Sequence, residues 1–215
     1  MQPLRIRAYL LDGRVAGAER WFPLDSILAS AWMHRHHPGL CYQPIQGALI
    51  EADLPFERRG NGDSWYWACS FNTAVPLTEY ITYWHRRFDN AYEKHIDFKG
   101  RRGKVGESSG QYKSYRQPLN VLLLPYLEWY AVGEIKAVRE LCNEIVSIGK
   151  KPSQGYGMVE RWEITPWSED FSEVMGGKLA RAMYELPTDT QGTKRRYGMR
   201  PPYWSRENQQ VVWLP

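Results

Sequence analysis

The sequence has few cysteines and lacks a long apolar segment. Its three cysteines, Cys41, Cys69 and Cys142, form no C-x-x-C pair, which excludes a zinc ribbon or a thioredoxin-type motif and argues against a disulfide framework. The longest apolar run, residues 121–126, is far shorter than the ~20 residues that a membrane-spanning helix needs. We therefore expect a cytoplasmic globular protein with reduced thiols and no membrane partner.

Several functional motifs are also absent. The chain contains no G-x-x-x-x-G-K-[ST] segment, which excludes a Walker loop. Residues 1–11 carry Arg5 and Arg7 within an alternating pattern, which is typical of a strand and not of a signal peptide. No carboxylate or thiol stands at ligand spacing beside the histidines, so we expect neither a metal nor a cofactor. The length of 215 residues allows one decorated domain or two small ones.

The net charge of +4 is distributed unevenly. Residues 99–116 contain six basic residues and one acid, and residues 194–206 contain five basic residues and no acid. Each segment therefore carries +5, which leaves −6 on the remainder of the chain. Two basic segments on an acidic body suit a protein that binds a polyanion on one surface and protein on others. A solvated charged loop is the alternative interpretation of residues 99–116. The tail at residues 194–215 could hold RNA, dock a neighbouring subunit or fold back onto the sheet.

Hydrophobic periodicity predicts an α+β fold. Leu4 to Leu10 alternate as a half-buried strand, and residues 24–32 repeat as one face of an amphipathic helix that ends before Pro38. The other predicted elements are a hairpin with strands at 48–56 and 64–71, a strand at 81–88, one or two strands in 117–132, a second helix over 135–145 and a core strand at 159–165.

This order matches the βαββαβ ferredoxin-like (RRM-like) plan with an inserted segment before the second helix. We expect a ferredoxin-like domain over residues 1–165, with residues 99–110 as a mobile loop or a protruding hairpin tip. Residues 166–215 are expected to form an irregular C-terminal extension, to which residues 211–214 would add an edge strand.

A glycine-rich segment, I-G-K-K-P-S-Q-G-Y-G-M-V at residues 148–159, follows the second predicted helix. Its three glycines permit positive φ and a close backbone approach, which would leave amide N–H groups facing an anion. The segment adds positive charge, neutral donors and a ring through Lys150, Lys151, Ser153, Gln154 and Tyr156. These groups are suited to holding a phosphodiester chain. The alternative interpretation is an ordinary helix-to-strand turn.

The pattern I-G-K-K-x-S-x-G-Y-G-x-V, between the last helix and last strand of such a unit, resembles the loop of the RAMP superfamily of CRISPR-associated proteins. The first strand and the following P-L-D-S-I-L-A at residues 23–29 are similar to the start of the same proteins. The chain most resembles the small RAMP subunit of type IV effector complexes, which caps the 5′ handle of the guide RNA. The resemblance covers about residues 4–164.

The resemblance implies a non-catalytic RNA-binding subunit of an antiviral ribonucleoprotein. Its partners would be the guide RNA, the backbone RAMP subunit, the large subunit and, indirectly, target DNA. The implied RNA contacts on the glycine-rich loop are Lys150, Lys151, Ser153, Gln154, Gly155, Tyr156 and Gly157. A basic thumb-like hairpin is also implied, for which residues 99–116 have the right position and charge. Its implied contacts are Arg101, Arg102, Lys104, Lys113, Tyr115 and Arg116.

A cluster of histidines raises a catalytic alternative. Related RAMP nucleases cut RNA without metal, a histidine near the first helix acting as general base for attack by the 2′-hydroxyl. His34, His36 and His37 close the first helix beside Arg35, so a metal-independent endoribonuclease that processes repeat RNA is the alternative function. Two structural explanations compete, because cations are favoured at a helix C-terminus and His34 falls on the apolar stripe. A protein-interaction module with acidic partners is a third hypothesis.

The aromatic residues fall into two groups. Those within apolar strand patterns are predicted to be core: Trp65, Trp67, Trp84, Trp129 and Trp162. Those beside basic residues are predicted to be able to stack on unpaired bases: Tyr112, Tyr115, Tyr156, Tyr203 and Trp204.

Overall fold

The computed structural model describes residues 1–17, 20–41, 49–98 and 103–215. The fold is mixed α+β, with more strand than helix and with its strands in several small sheets. The helices are α1 (Leu24–His36) and α2 (Ile135–Cys142). The strands of the described residues are β1 (Gln2–Leu10), β2 (Arg14–Gly17), β3 (Arg58–Asn61), β4 (Ser64–Trp67), β5 (Thr78–Arg86), β6 (Tyr115–Leu123), β7 (Tyr126–Gly133), β8 (Val159–Pro166), β9 (Val174–Met175), β10 (Lys178–Leu179), β11 (Thr193–Gly198) and β12 (Gln209–Leu214).

Strand β1 lies at the centre of an antiparallel sheet with the order β7-β1-β8. Its alternation buries Leu4, Ile6 and Ala8, whose partners across the ladder include the fully buried Trp129. The indole N–H of Trp129 donates to the carbonyl of Phe22 at 2.7 Å, which satisfies the polar atom of this buried ring. The strands predicted at 4–10 and 159–165 are thus confirmed.

Helix α1 buries Leu24, Leu28 and Ala31, as its periodicity predicts. Helix α2 begins after Glu134, whose carboxylate accepts the N–H groups of Lys136 and Ala137 at 3.0 and 2.7 Å. It ends at Cys142, three residues before the predicted end, because the chain continues in tighter turns there.

A second sheet has the order β2-β6-β5. Strands β5 and β6 pair along their whole length, from Thr78 opposite Leu123 to Arg86 opposite Tyr115, and β5 is an edge strand. The region 117–132 therefore contains two strands, β6 and β7. Residues 87–114 connect β5 to β6 and include two short 3-10 turns within their described part.

The predicted hairpin at 48–71 is shorter and displaced in the structure. Its strands are β3 and β4, while residues 49–55 adopt no strand and Phe56 forms an isolated bridge to Gly133. The tight pairing depends on Gly60, which has a φ of 96° and where a Cβ would lie 2.1 Å from the Ser64 carbonyl oxygen. Gly60, which lies between the two predicted strands, thus belongs to the ladder, where it pairs with Trp65.

The C-terminal extension is more ordered than the sequence suggests. Strands β9 and β10 form one small hairpin and β11 and β12 another, so the predicted edge strand at 211–214 is the end of β12. Val212, Leu214 and Met199 are buried together with Tyr66 and Phe71 of the preceding region. The expectation of an irregular segment was wrong because its apolar residues are few and its partners are distant in sequence.

Candidate nucleic-acid interface

The glycine-rich loop runs from α2 to β8 through a 3-10 turn at Pro152–Gln154. Two of its glycines are required by close backbone approaches at positive φ. A Cβ at Gly149 would lie 2.3 Å from the carbonyl oxygen of Ala16, and one at Gly157 would lie 1.8 Å from that of Ile148. By contrast, a Cβ at Gly155 would meet nothing within 4 Å. Gly149 and Gly157 therefore shape the loop, whereas Gly155 leaves an open surface.

Most of the amides expected to face an anion are used within the chain. The N–H of Lys150 donates to the Ala16 carbonyl and that of Gly157 to the Arg14 carbonyl, both at 2.7 Å. The N–H groups of Ile148, Gln154 and Gly155 also donate to main-chain carbonyls. The expectation of a main-chain anion cradle is therefore wrong for these five groups, because two of them attach the loop to β2 and three bond within the loop itself. A ligand of the loop would have to be bound mainly by its side chains.

Those side chains differ in exposure. Lys150, Ser153 and Gln154 are exposed. Tyr156 is half-buried and packs against the small cluster formed by Ala16, Leu119 and Val121. The Arg14 guanidinium lies 5.2 Å from the centre of its ring. Tyr156 is therefore mainly a packing residue that holds the loop on the second sheet.

Lys151 links the loop to β5. Its ammonium nitrogen lies 3.8 Å from the ring centroid of Trp84, within the range of a cation–π contact. The indole N–H of Trp84 donates to the hydroxyl of Tyr115 at 3.0 Å. Lys151, Trp84 and Tyr115 thus form a continuous contact between the glycine-rich loop and the base of the inserted segment, the two regions predicted to bind RNA.

The position of Trp84 corrects the prediction that it is core. It is half-buried and lies outside the hydrophobic clusters that contain Trp65, Trp67 and Trp129. Edge strand β5 is exposed along much of its length. A strand that pairs on one side with β6 alternates its side chains between a partly covered face and an open one, so an aromatic pattern there does not require burial.

The predicted thumb residues are divided between the two faces of the β5–β6 ribbon. The Arg116 guanidinium lies 3.7 Å from the ring centroid of Tyr83, which neighbours Trp84 in the strand and so faces the opposite side. Lys104 and Lys113 are exposed. Arg101 and Arg102 lie outside the described residues.

The positive charge of this interface is only partly neutralised. Arg14 pairs with Asp12 at 2.5 Å. Within the described residues, no carboxylate lies within ion-pair distance of Lys150, Lys151 or Arg116. Uncompensated cations beside exposed donors are the arrangement that binds a polyanion.

The three histidines lie at the carboxyl end of α1. His36 stacks on Trp32 with ring centroids 4.4 Å apart, and its Nδ1 is 2.9 Å from the Trp32 carbonyl oxygen. The His37 ring is 5.6 Å from the same indole. His34 is exposed, so its predicted place on the apolar stripe is wrong. The packing of His36 and His37 matches a helix-end role.

A family model described as CRISPR type IV associated protein Csf3 matches residues 2–215. The chain belongs to the Csf3 family. The resemblance to a type IV CRISPR subunit is thereby confirmed, and the match extends beyond residue 164 through the C-terminal extension. No curated protein matches the chain. Membership of Csf3 implies that this subunit works in a complex with other CRISPR components.

Sequence reasoning missed a buried polar cluster in this Csf3 chain. Asp25 is fully buried, and the hydroxyl of Tyr203 donates to its two carboxylate oxygens at 2.8 and 2.9 Å. Burial raises the pKa of Asp25 to about 6, and the charge of the buried Arg181 partly opposes the shift. Tyr203 was predicted to stack on bases, but its hydroxyl is committed to the core. Only contacts across more than 150 residues reveal the cluster.

In the described part of this Csf3 chain, no three histidine, cysteine or carboxylate side chains are grouped so that they could hold a metal ion. No helix within the described residues is both long and apolar enough to cross a membrane.

Proposed function

We propose that this Csf3 family member is a non-catalytic RNA-binding RAMP subunit of a type IV effector complex. It binds the 5′ handle of the guide RNA, adjoins the backbone RAMP subunit and the large subunit, and meets target DNA indirectly. The observation that carries the proposal is the contact chain from Lys151 through Trp84 to Tyr115. These contacts join the glycine-rich loop and the inserted segment, which were each predicted to bind RNA, into one surface.

The sheet topology supports a ferredoxin-like core for this subunit. In that plan the first strand lies between the last two, and all neighbours are antiparallel, which is the relation of β1 to β7 and β8. After each of the two helices, the chain returns to this sheet. An isolated antiparallel bridge from Cys69 to Ala131 puts the β4 region beside β7, where the remaining strand of the plan belongs.

The chemistry of the surface suits a single RNA strand. Lys150 and Lys151 supply charge for phosphates, while Ser153 and Gln154 supply neutral donors at exposed positions. Binding through the phosphates releases counterions, so the affinity is expected to fall steeply as salt increases.

The packing of two of the three histidines favours a structural role at the helix end. The rings of His36 and His37 lie against Trp32 of their own helix, an arrangement that the end of a helix explains without nuclease activity. Purified protein incubated with repeat RNA and EDTA is expected to leave the RNA intact. A discrete product with a 2′,3′-cyclic phosphate that disappears in His34→Ala or His37→Ala would establish the endoribonuclease instead.

The loop is tested by Lys150→Ala/Lys151→Ala. We expect at least about tenfold weaker binding of a 5′-handle RNA, and a salt slope reduced by about 1.4, since each phosphate contact of a single strand contributes about 0.7. The measurement is fluorescence anisotropy at several salt concentrations.

A matched control is Lys136→Ala/Lys178→Ala, which removes the same charge from two exposed positions on α2 and β10. This control variant should leave the affinity for the 5′-handle RNA and the salt slope close to those of the native chain. An unchanged affinity and slope in the loop variant would remove the glycine-rich loop from the site.

A further inference from the structure

The C-terminal hairpin carries a second concentration of exposed positive charge. Lys194, Arg195 and Arg196 are consecutive and exposed on β11. Strand β12 pairs with β11 on one side and is bridged to Met183 on the other. The three cations therefore occupy the outer strand of the hairpin.

These cations differ from most arginines of the body, which are neutralised by carboxylates. Arg5 pairs with Glu163, and Arg59 pairs with three acids. Among the described residues, no acid lies within ion-pair distance of Lys194, Arg195 or Arg196, and residues 194–206 contain none. The charge of β11 is therefore available to a ligand.

An exposed ring stands at the end of the same hairpin. Trp204 is 63% exposed, although Trp65, Trp67 and Trp129 of this chain are buried. It follows Tyr203, whose carbonyl accepts the side-chain amide of Gln209 at 3.1 Å and whose hydroxyl binds Asp25. The indole is thus attached to a fixed main-chain segment while its own surface faces solvent.

The main chain that carries this ring lies beside the strand that carries the cations. Gln209 pairs with Gly198, and a Cβ at Gly198 would lie 2.8 Å from the Cα of Tyr203. Arg196 precedes Gly198 by two residues, or about 7 Å of extended strand, so it lies on the same face of β11 as the Gly198 Cβ position. Trp204 and Arg196 are therefore carried by neighbouring stretches of main chain.

We propose that β11 and Trp204 form a second binding surface, for a single strand of nucleic acid. Lys194 and Arg196, which share one face of β11, contact its phosphates, and Trp204 stacks on an unpaired base, the combination by which single strands are bound without sequence preference. We assign the ligand as a nucleic acid and not a protein because these cations have no carboxylate within ion-pair distance among the described residues, the charge pattern that binds a polyanion. This surface is separate from the glycine-rich loop and does not depend on the function proposed for that loop.

The experiment uses the full chain with Lys150→Ala/Lys151→Ala, so that the first surface is disabled. The probes are labelled 12-nucleotide oligo(U), oligo(dT) of the same length and a 12-base-pair DNA duplex. In this background, Lys194→Gln/Arg196→Gln, which removes the two cations of one face of β11, should reduce the salt slope for single strands by about 1.4. Trp204→Leu should weaken single-strand binding about tenfold without changing the slope, because it removes stacking and no charge. Lys136→Gln/Lys178→Gln is the control of equal charge.

The outcomes separate the proposal from its competitors. Reduced binding in both hairpin variants, with a preference for single strands over the duplex, supports it, and the two oligonucleotides show whether RNA or DNA is preferred. Unchanged binding with loss of solubility in Lys194→Gln/Arg196→Gln would overturn it, since the charges would then serve only to keep an edge strand from pairing with other chains. Equal binding of the duplex, or no effect of Trp204→Leu, would overturn the stacking contact. These results would still stand if Lys150→Ala/Lys151→Ala left the binding of the 5′-handle RNA unchanged.

Discussion

At the scale of single residues, the buried Asp25 gives the clearest consequence for pH. Burial holds its pKa at about 6, above the value near 3.9 of an unfolded chain. The native state therefore binds this proton more tightly, and its contribution to stability is lost as the pH rises through 6. Between about pH 4 and pH 7, the unfolding free energy of the native chain should fall by about 2 kcal/mol relative to Asp25→Asn. Urea unfolding across this range measures the difference.

A carboxylate with the opposite shift provides the control. Although burial acts to raise the pKa of Asp170, hydrogen bonds from Ser172 and Arg59 hold it below its usual value. Its stabilising contribution is therefore lost as the pH falls. The unfolding free energy of the native chain relative to Asp170→Asn should therefore rise from acidic to neutral pH, which is the opposite of the trend relative to Asp25→Asn. A pH-independent difference for Asp25→Asn would contradict the assignment.

At the scale of elements, the glycine-rich loop has glycines with different tasks. Gly155 and Gly157 both have positive φ, of 84° and 68°. Gly155→Ala should lower the unfolding free energy by about 1–2 kcal/mol, the cost of a left-handed residue with a Cβ. Gly157→Ala adds a clash with the carbonyl of Ile148, so we expect a loss of about 3 kcal/mol, at the upper end for overpacking. Urea unfolding compares the two, and equal losses would contradict the requirement for a close approach at Gly157.

The same element shows what local patterns can predict. The segment 148–159 was identified from its glycines and lysines, which are contiguous in sequence. Its use of amides to fold onto β2 was not predictable, because Ala16 and Arg14 are more than 130 residues away. The importance of Trp84 was missed for a related reason: a tryptophan in an apolar strand pattern gives no sign that its strand is an edge.

Strands and helices with a clear period were predicted well, as β1, α1 and β8 show. The predicted boundaries of elements were wrong where a contact with residues distant in sequence determines them. The hairpin moved to β3 and β4 because the ladder at Gly60 needs a residue without a Cβ. Of the C-terminal strands only the end of β12 was predicted, because the extension packs onto Tyr66 and Phe71 and no local repeat reports such a partner.

At the scale of the whole molecule, Arg181 joins the C-terminal extension to the body. Its buried guanidinium donates to the carbonyls of Trp67 and Cys69 in the body and of Met199 in the extension. It is also the opposite charge that faces the buried Asp25. The two parts of the chain are therefore expected to unfold together, with the same urea midpoint by tryptophan fluorescence and by far-UV circular dichroism.

Arg181→Met tests this coupling, because it keeps most of the side-chain volume while it removes the donors and leaves a carboxylate buried without its partner charge. We expect a loss of about 3–5 kcal/mol in unfolding free energy, because several buried main-chain carbonyls lose a charged donor. The exposed Arg206, changed to Met as a control, should shift stability by less than about 0.5 kcal/mol. If the extension of the native chain melted first, in a separate transition that left the body folded, or if Arg181→Met cost no more than the control, Arg181 would be a local contact and the two parts would be independent units.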